Sequence, residues 1–348
     1  MPAPGKAHLH IGLLKSGTSF IQSQLRHHHP GLAEDGILIP GGRHWERQVS
    51  ATRDLVARPG PVPANEPTTH TWDWLAQGAR DWSGPGVIVS MEFLSFARPK
   101  AILRALASLA PREVEVVVTA RDLGRVLPAQ WQETVQNHRT WTWPEYLASL
   151  REQPGSDPRA ARSFWFIHDL PRILSKWLDA GDAPVTVVTV PPRGAAPDLL
   201  WRRFCSAVQI DADRFPPTAQ RGANTSLGVN GAELTRRVTA LANDRLTPQA
   251  YRREIKTFLS KSVLAQLDDA RFGLPLEAYP WAQDRSQDII EQVRRLGVRV
   301  VGDLDELWPT PPGGVEREPD RFDTDRMLDA AVEALVAFAG HADELRST

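Results

Sequence analysis

Cysteine is nearly absent from this sequence of 348 residues, and so is any excess of charge. A single cysteine, Cys205, excludes an intramolecular disulfide framework and fits a reducing compartment. The formal net charge of −1 creates no overall basic field that would attract nucleic acid or a membrane surface. Any anionic ligand must therefore be held by local groups.

Long apolar runs are missing as well. No stretch approaches the roughly 18 apolar residues that a membrane-spanning helix needs. The N-terminus has no charged region followed by an apolar run and a small-residue cleavage site. These absences predict a cytoplasmic protein without integral membrane association. Hydrophobic residues make up 41% of the chain, which is enough to bury a sizeable core and excludes global disorder.

Short β-branched runs alternate with longer amphipathic stretches, and this pattern predicts an α/β fold with a central parallel sheet flanked by helices. The continuous apolar character of the strands is typical of burial on both faces. The predicted strands are 8–12, 87–90, 114–120 and 185–190, with a helix from about 19 to 28 after the first strand. We expect one α/β domain over residues 1–312, and a linker with a C-terminal amphipathic helix over 313–348.

Segments rich in tryptophan lie between the predicted strands. Trp72, Trp74 and Trp82 fall in one such segment, and Trp141 and Trp143 open another. Insertions beyond the strand ends of an α/β sheet often build the substrate pocket. Alternatively, these aromatic side chains pack surface helices onto the sheet, and the sequence leaves both interpretations open.

A polar turn, Lys15-Ser16-Gly17-Thr18-Ser19, follows the first predicted strand and opens the first helix. Gly17 permits a tight turn, in which successive N–H groups point into one concavity. The helix N-terminus adds a partial positive charge and unpaired donors. Lys15 supplies a full charge, while Thr18 and Ser19 supply hydroxyl donors. The turn therefore predicts a site for a phosphate or sulfate group.

This turn differs from a Walker A loop, in which the lysine follows the last glycine. Here Lys15 precedes Gly17. No predicted strand ends in an aspartate suited to holding Mg²⁺, and the nearest candidate is Glu92 in Ser90-Met91-Glu92. A metal-dependent NTP enzyme is therefore disfavoured.

The order of residues in Lys15–Ser19, directly after a strand, resembles the 5′-phosphosulfate loop of sulfotransferases that use 3′-phosphoadenylyl sulfate (PAPS). Arg121 follows the third predicted strand, where that family has the arginine that binds the 3′-phosphate. A guanidinium suits bidentate phosphate binding. The resemblance extends over roughly residues 7–310. It implies a P-loop-like sulfotransferase fold, PAPS as the co-substrate and no metal.

Two departures from the family pattern concern the 3′-phosphate and the nucleotide. The family has a serine eight residues after the arginine, where this chain has Ala129, so the neighbouring Gln130 or a backbone group would substitute for it. The glycine-rich basic loop of the family corresponds only loosely to Arg221-Gly222. The resemblance nevertheless implies a contact between Arg221 and the nucleotide.

The acceptor must lose a proton, and sulfotransferases of this type use a histidine or a glutamate as the base. The resemblance points to His44, which follows the first helix and a short extended run, and a neutral imidazole is an apt base near pH 7. Glu92 directly follows the second predicted strand, at the edge where open-sheet active sites lie. Either residue can serve, or both together, while Lys15 would neutralise the leaving oxygen.

The other histidines of interest are those that could bind a metal ion or line the pocket. His27, His28 and His29 are consecutive on a helix and point in different directions, so they are not expected to share a metal ion. His10 precedes the turn, where it either lines the pocket or is buried within the strand.

The alternatives to a sulfotransferase are an ATP-using kinase-like enzyme and an inactive nucleotide-binding scaffold. The acceptor is expected to be a small molecule, a glycan or a lipid. The sequence does not determine which of these it is, nor does it determine the oligomeric state.

Overall fold

The computed structural model of the protein describes residues 5–56, 71–218, 226–312 and 318–347. Contacts divide the chain into two compact units, each assembled from three segments. The first unit comprises Met1–Asp122, Trp165–Gln220 and Asp284–Trp308. The second comprises Leu123–Phe164, Arg221–Gln283 and Pro309–Thr348. The domain boundary that the sequence predicts at residue 312 stays a prediction.

The first unit contains a six-stranded sheet in which every neighbouring pair is parallel. Its strands are β1 (Lys6–His10), β2 (Ile37–Leu38), β3 (Gly86–Ser90), β4 (Glu113–Ala120), β5 (Val185–Thr189) and β6 (Arg299–Val301). They are arranged in the order β2-β3-β1-β4-β5-β6. The carboxyl ends of all the strands therefore lie along one edge, which is where open α/β sheets place their ligands.

The helices follow the strands in alternation over the part of the chain that the structure describes. The first nine are α1 (Thr18–Glu34), α2 (Trp45–Val56), α3 (Trp72–Asp81), α4 (Pro99–Leu109), α5 (Leu123–Val135), α6 (Trp143–Leu150), α7 (Pro158–His168), α8 (Leu170–Asp179) and α9 (Leu199–Val208). The later ones are α10 (Val229–Ala242), α11 (Pro248–Tyr251), α12 (Tyr279–Leu296) and α13 (Thr324–Ser347). A π-helix spans Arg252–Val263, and short 3₁₀ helices span Glu92–Phe96, Leu264–Gln266, Leu276–Ala278 and Leu304–Leu307.

Both faces of the sheet are buried, because successive side chains of a strand point to opposite faces. Leu9, Val89 and Val118 belong to one apolar cluster, which also takes in buried side chains of α3, α4 and α8. Ile88 and Val117 belong to a second cluster, with buried side chains of α1 and α9. These two cores hold β1 rigidly at the centre of the sheet, between β3 and β4.

The predicted α/β class with a central parallel sheet is confirmed. The four predicted strands correspond to β1, β3, β4 and β5, and β2 lies within the short extended run expected between the first helix and His44. The short edge strand β6 was not predicted. Helix α1 is longer than predicted, since it continues through Pro30 to Glu34. At Gly31 an added Cβ would lie 3.0 Å from a ring carbon of Phe215, so this packing accounts for the continuation.

The second unit is helical, and aromatic side chains form much of its core. Trp131 packs edge-to-face against Trp143 and Phe272, at ring distances of 5.8 and 5.7 Å. Asp269 accepts hydrogen bonds from the side chain of Asn230 and from the Gly231 N–H, at 2.8 and 2.9 Å, which fixes the start of α10. The predicted C-terminal helix is α13, and it packs on α10 within this unit.

Within the described ranges, no helix combines the length and the apolar character that crossing a bilayer demands.

Candidate active site

The turn between β1 and α1 has the backbone shape of an anion cradle. Lys15 and Gly17 both adopt left-handed conformations, with φ of 60° and 82°. A non-glycine residue in this region costs roughly 1–2 kcal/mol, so the fold must hold Lys15 there. Gly17 is the N-cap of α1 and provides no capping side chain. The first N–H groups of this 17-residue helix therefore remain available to a ligand.

Gly17 is required for two reasons. Its φ of 82° suits glycine, and a Cβ at this position would lie 2.5 Å from Cδ2 of Leu200 at the start of α9. The side chain of Thr18 is buried, whereas that of Ser19 is exposed. Only Ser19 thus presents its hydroxyl freely to solvent, while Thr18 contributes the first N–H of the helix.

Strand β4 anchors the turn from below. The Leu13 N–H donates to the Thr119 carbonyl at 2.8 Å, and the Thr119 N–H donates to the Gly12 carbonyl at 2.5 Å. The buried Ser16 hydroxyl donates to the Leu13 carbonyl and lies 2.7 Å from the Thr119 hydroxyl. The Ser16 side chain therefore faces inward and fixes the turn, so only its backbone N–H stays predicted to bind an anion.

His10 lies beneath this turn and is fully buried. Its Nδ1 lies 2.7 Å from the Ser90 hydroxyl and its Nε2 lies 3.3 Å from the Thr119 hydroxyl. The ring of Phe204 packs beside the imidazole, 5.1 Å away. Burial lowers the pKa of His10 to about 3, so the imidazole is neutral at physiological pH. Of the two sequence interpretations, the buried strand histidine is the one observed.

Arg121 follows β4 directly and reaches the turn. Its Nη1 donates to the carbonyl oxygen of Lys15 at 3.3 Å, across 106 residues of sequence. The two residues on which the family resemblance depends most are therefore in contact. This hydrogen bond places the guanidinium beside the left-handed segment of the turn, and it adds a second positive charge to that of Lys15.

Glu92 also lies against the turn. It begins the short 3₁₀ helix after β3, and a Cβ added to Gly12 would lie 3.2 Å from the Glu92 Cβ. Gln22 of α1 donates to a carboxylate oxygen of Glu92 at 2.8 Å. The carboxylate is therefore oriented by the same helix that begins at the anion cradle.

His44 occupies the turn between β2 and α2. Its side chain is 61% exposed, and its Nδ1 lies 3.1 Å from a carboxylate oxygen of Glu46. The preceding Gly42 approaches His29, which lies in the later part of α1 rather than at its start. The contacts found for His44 are thus with its own turn, whereas Glu92 contacts Gly12 and Gln22, on either side of the turn between β1 and α1.

The residues predicted to complete the nucleotide site belong to the second unit. Ala129 and Gln130 lie in α5, and Gln130 is buried. Arg221 lies outside the described residues. Their roles toward a 3′-phosphate or a nucleotide therefore stay predictions.

His168 is a residue that the sequence analysis overlooked. It ends α7 and is 4% exposed. Burial, and secondarily the positive charge of Lys15, lower the pKa of His168 to about 3. The contribution of Lys15 places His168 within electrostatic range of the Lys15 ammonium group. His168 lies at the end of an amphipathic stretch, 153 positions after Lys15. Nothing in the sequence indicates that the two residues are close.

Other singled-out residues have structural partners. Cys205 is buried, and burial raises the pKa of its thiol to about 12. His28 stacks on Trp201 with ring centroids 6.1 Å apart, while His29 bonds to the Arg26 carbonyl, so their rings face different neighbours. Trp72 is buried, and its indole N–H donates to the Ser108 hydroxyl at 2.8 Å. Packing of α3 onto the sheet unit thus accounts for Trp72.

The site as a whole is suited to binding an anion and to accepting a proton. Within the described residues, no group of three or more histidine, cysteine, aspartate or glutamate side chains is placed to hold a metal ion. The cradle offers backbone donors, and Lys15 and Arg121 add positive charge. Glu92 supplies an oriented carboxylate beside them.

Comparison with known proteins gave one distant likeness. No family model matches the chain, and no curated protein matches it. The fold is similar to the crystal structure of a sulfotransferase from Alicyclobacillus acidocaldarius, with 18% sequence identity and a TM-score of 0.40. The match covers 73% of this chain and all of that one. A likeness this distant assigns no activity and no residue role.

Proposed function

We propose that the protein is a sulfotransferase that uses PAPS as its donor. One observation carries this proposal: Arg121 donates a hydrogen bond to the carbonyl oxygen of Lys15, the first residue of the anion cradle. A donor with phosphate groups at both its 5′ and 3′ positions needs two adjacent cationic anchors. A single phosphate-binding turn would need only the first.

The residues fit such a donor. The N–H groups of Ser16, Gly17, Thr18 and Ser19 would hold the 5′-phosphosulfate, because the left-handed turn and the helix N-terminus direct donors into one concavity. Arg121 would bind the 3′-phosphate through its planar fork. When bound, PAPS supplies the sulfuryl group that is transferred.

The remaining chemistry is proton transfer and charge neutralisation. Lys15 would neutralise charge on the oxygen that bridges phosphate and sulfate as that bond breaks. Glu92 would accept the proton of the acceptor hydroxyl or amine, since it lies against Gly12 and is oriented by Gln22. His44 is the alternative base. His168 is a weaker candidate, because a pKa of about 3 makes its imidazole a poor proton acceptor at neutral pH.

The donor site can be tested by calorimetric titration of the full chain with 3′-phosphoadenosine 5′-phosphate, ADP and ATP, each with and without Mg²⁺. We expect tight binding of the bisphosphate, weaker binding of ADP and ATP, and no dependence on Mg²⁺. Binding that requires ATP and Mg²⁺ would contradict the proposal. It would favour a kinase-like enzyme in which Glu92 serves the metal.

Variants of Arg121 make this test specific. We expect Arg121→Ala to weaken binding of the bisphosphate by about 10- to 100-fold and to leave binding of ADP within about 3-fold, because ADP lacks the 3′-phosphate. Arg121→Lys should recover part of the loss. Arg202→Ala is the matched control, since Arg202 pairs with Asp198 and Asp213 on the surface of α9.

Transfer itself is measured as donor-dependent sulfation across a panel of phenols, alcohols, amines, glycans and lipids. Sulfation of any of these acceptors would support the enzyme. Specific bisphosphate binding without transfer to any of them would favour an inactive nucleotide-binding scaffold.

A further inference from the structure

Four buried side chains form a continuous hydrogen-bonded line beneath the phosphate-binding turn. The line starts at Ser90 of β3, crosses His10 of β1 and Thr119 of β4, and ends at Ser16 within the turn. All four side chains are at most 1% exposed. Because water is excluded from this line, each proton in it must be supplied by one of its own members.

The proton of each hydroxyl can be assigned from the end of the line inward. The Ser16 hydroxyl donates to the Leu13 carbonyl, which has no proton to offer in return. Ser16 therefore accepts from the Thr119 hydroxyl, 2.7 Å away. The Thr119 hydroxyl also lies 3.0 Å from the Gly12 carbonyl, which already accepts the Thr119 backbone N–H at 2.5 Å, so Ser16 is the nearer acceptor.

The state of the histidine follows from this assignment. The Thr119 hydroxyl has acceptors in Ser16 and in the Gly12 carbonyl, so its single proton points away from His10, and His10 donates to Thr119 from Nε2 across 3.3 Å. Burial keeps the ring neutral, so Nδ1 carries no proton. Nδ1 then accepts from the Ser90 hydroxyl at 2.7 Å. Every hydroxyl and both ring nitrogens are satisfied in this arrangement.

We propose that His10, as the neutral Nε2–H tautomer, is a positioning residue that locks the phosphate-binding turn through Thr119 and Ser16. It touches neither donor nor acceptor. Its hydrogen bond orients Thr119, which in turn fixes Ser16, the residue between the left-handed Lys15 and Gly17. Without it, the strained backbone of the turn would lose the contact that holds its N–H groups convergent. The functional part of this inference rests on the proposed donor site.

The tautomer can be observed without any ligand. Long-range ¹H–¹⁵N correlation spectra of the full chain with ¹⁵N-labelled histidine report which ring nitrogen carries the proton, and His10→Gln identifies the signal. We expect the Nε2–H pattern from pH 8 to pH 5. An Nδ1–H tautomer, or an imidazolium at pH 7, would overturn the assignment.

The locking role is tested by matched changes at Thr119. Thr119→Val keeps the shape and removes the hydroxyl, whereas Thr119→Ser keeps the hydroxyl. We expect amide hydrogen exchange in residues 13–19 to accelerate about 10-fold in the valine variant and to stay within about 2-fold of wild type in the serine variant. Affinity for 3′-phosphoadenosine 5′-phosphate should fall about 10-fold in parallel.

A merely structural role would lower the melting temperature of the valine variant without changing either readout in the folded protein. That outcome would overturn the proposal. Ser16→Ala, which removes the last member of the line, should reproduce the accelerated exchange if the valine variant does not fold. Failure of the wild-type protein to bind the bisphosphate would contradict only the donor-site proposal. The positioning role of His10 would still be decided by the tautomer spectrum and by the comparison of hydrogen exchange.

Discussion

Two glycine-containing turns follow parallel strands at the same edge of the sheet, one after β1 and one after β2, and each leads into a helix. Both contain left-handed backbone, at Lys15 and Gly17 in the first and at Gly41 and Gly42 in the second. In the first turn, β4 holds Gly12 and Leu13 through backbone hydrogen bonds and Ser16 through the Thr119 hydroxyl.

The second turn is held differently. Gln48 fixes its beginning, since the side-chain amide donates to the Pro40 carbonyl at 2.8 Å. At the tip, the bonds are local: Gly42 N–H donates to Ile39 and His44 N–H donates to Gly41. The imidazole of His44 faces Glu46 and solvent. Similar residues thus give a rigid, ligand-ready turn only where a neighbouring strand supplies bonds from below.

The largest expected effect tests which residue is the base: Glu92, beside the first turn, or His44, in the second turn. Glu92→Gln should reduce the rate of sulfuryl transfer by about 10²- to 10⁴-fold, because it removes the proton acceptor beside the first turn. His44→Gln should reduce the rate by less than about 10-fold. The measurement is donor turnover with an acceptor found in the panel. The reverse pattern would assign the base to the second turn.

Acid should weaken the region around the first turn. The pKa values of His10 and His168 fall from the ordinary value of 6.5 to about 3 in the folded protein. Between these values the unfolded chain binds protons that the folded chain does not, so the free energy of unfolding decreases as pH falls from 6.5 toward 3. Each histidine should contribute about 1.4 kcal/mol per pH unit within that window.

Urea unfolding at a series of pH values measures this slope. His168→Gln should flatten it by the contribution of one histidine. Equal slopes for wild type and His168→Gln would show that His168 is protonated in the folded protein.

A smaller effect tests the geometry of the first turn. Gly17→Ala should lower the free energy of unfolding by about 1–3 kcal/mol, because alanine is strained at positive φ and its Cβ meets Leu200. Gly194→Ala is a matched control, since Gly194 has a φ of 83° and no atom within 4 Å of an added Cβ. It should cost about 1 kcal/mol and leave bisphosphate affinity unchanged, whereas Gly17→Ala should weaken that affinity.

The smallest effect is expected at the tip of the second turn. Glu46→Gln removes the partner of His44 and should change the free energy of unfolding by less than about 0.5 kcal/mol, because both side chains are more than half exposed. Chemical denaturation checks this value. A loss above about 1 kcal/mol would mean that this turn is held more firmly than its contacts indicate.

Much of the fold could be predicted because the signals are local. The apolar runs of β1, β3, β4 and β5 are typical of strands buried on both faces, and all four were predicted. The predicted end of α1 was wrong, because Pro30 normally marks a helix boundary. In the structure, Phe215 packs against Gly31 and the helix continues. Strand β6, with three residues, is too short to show a period.

The candidate site was predicted only in part, for a different reason. The turn Lys15–Ser19 and the arginine Arg121 each follow a strand, so position in the sequence was enough to single them out. The inward orientation of Ser16, the exposure of His44 and the approach of His168 to Lys15 depend on contacts between distant segments. No periodicity or spacing within a segment reports such contacts.

The sequence by itself determined the class of the fold and the position of the glycine-containing turn that opens α1, because these follow from residue type and spacing along one segment. The tertiary structure decided the strand order, the division into two units and the meeting of Arg121 with Lys15. It also decided that the pKa of His10 is lowered, since the burial that causes this exists only once β1, β3 and β4 are paired.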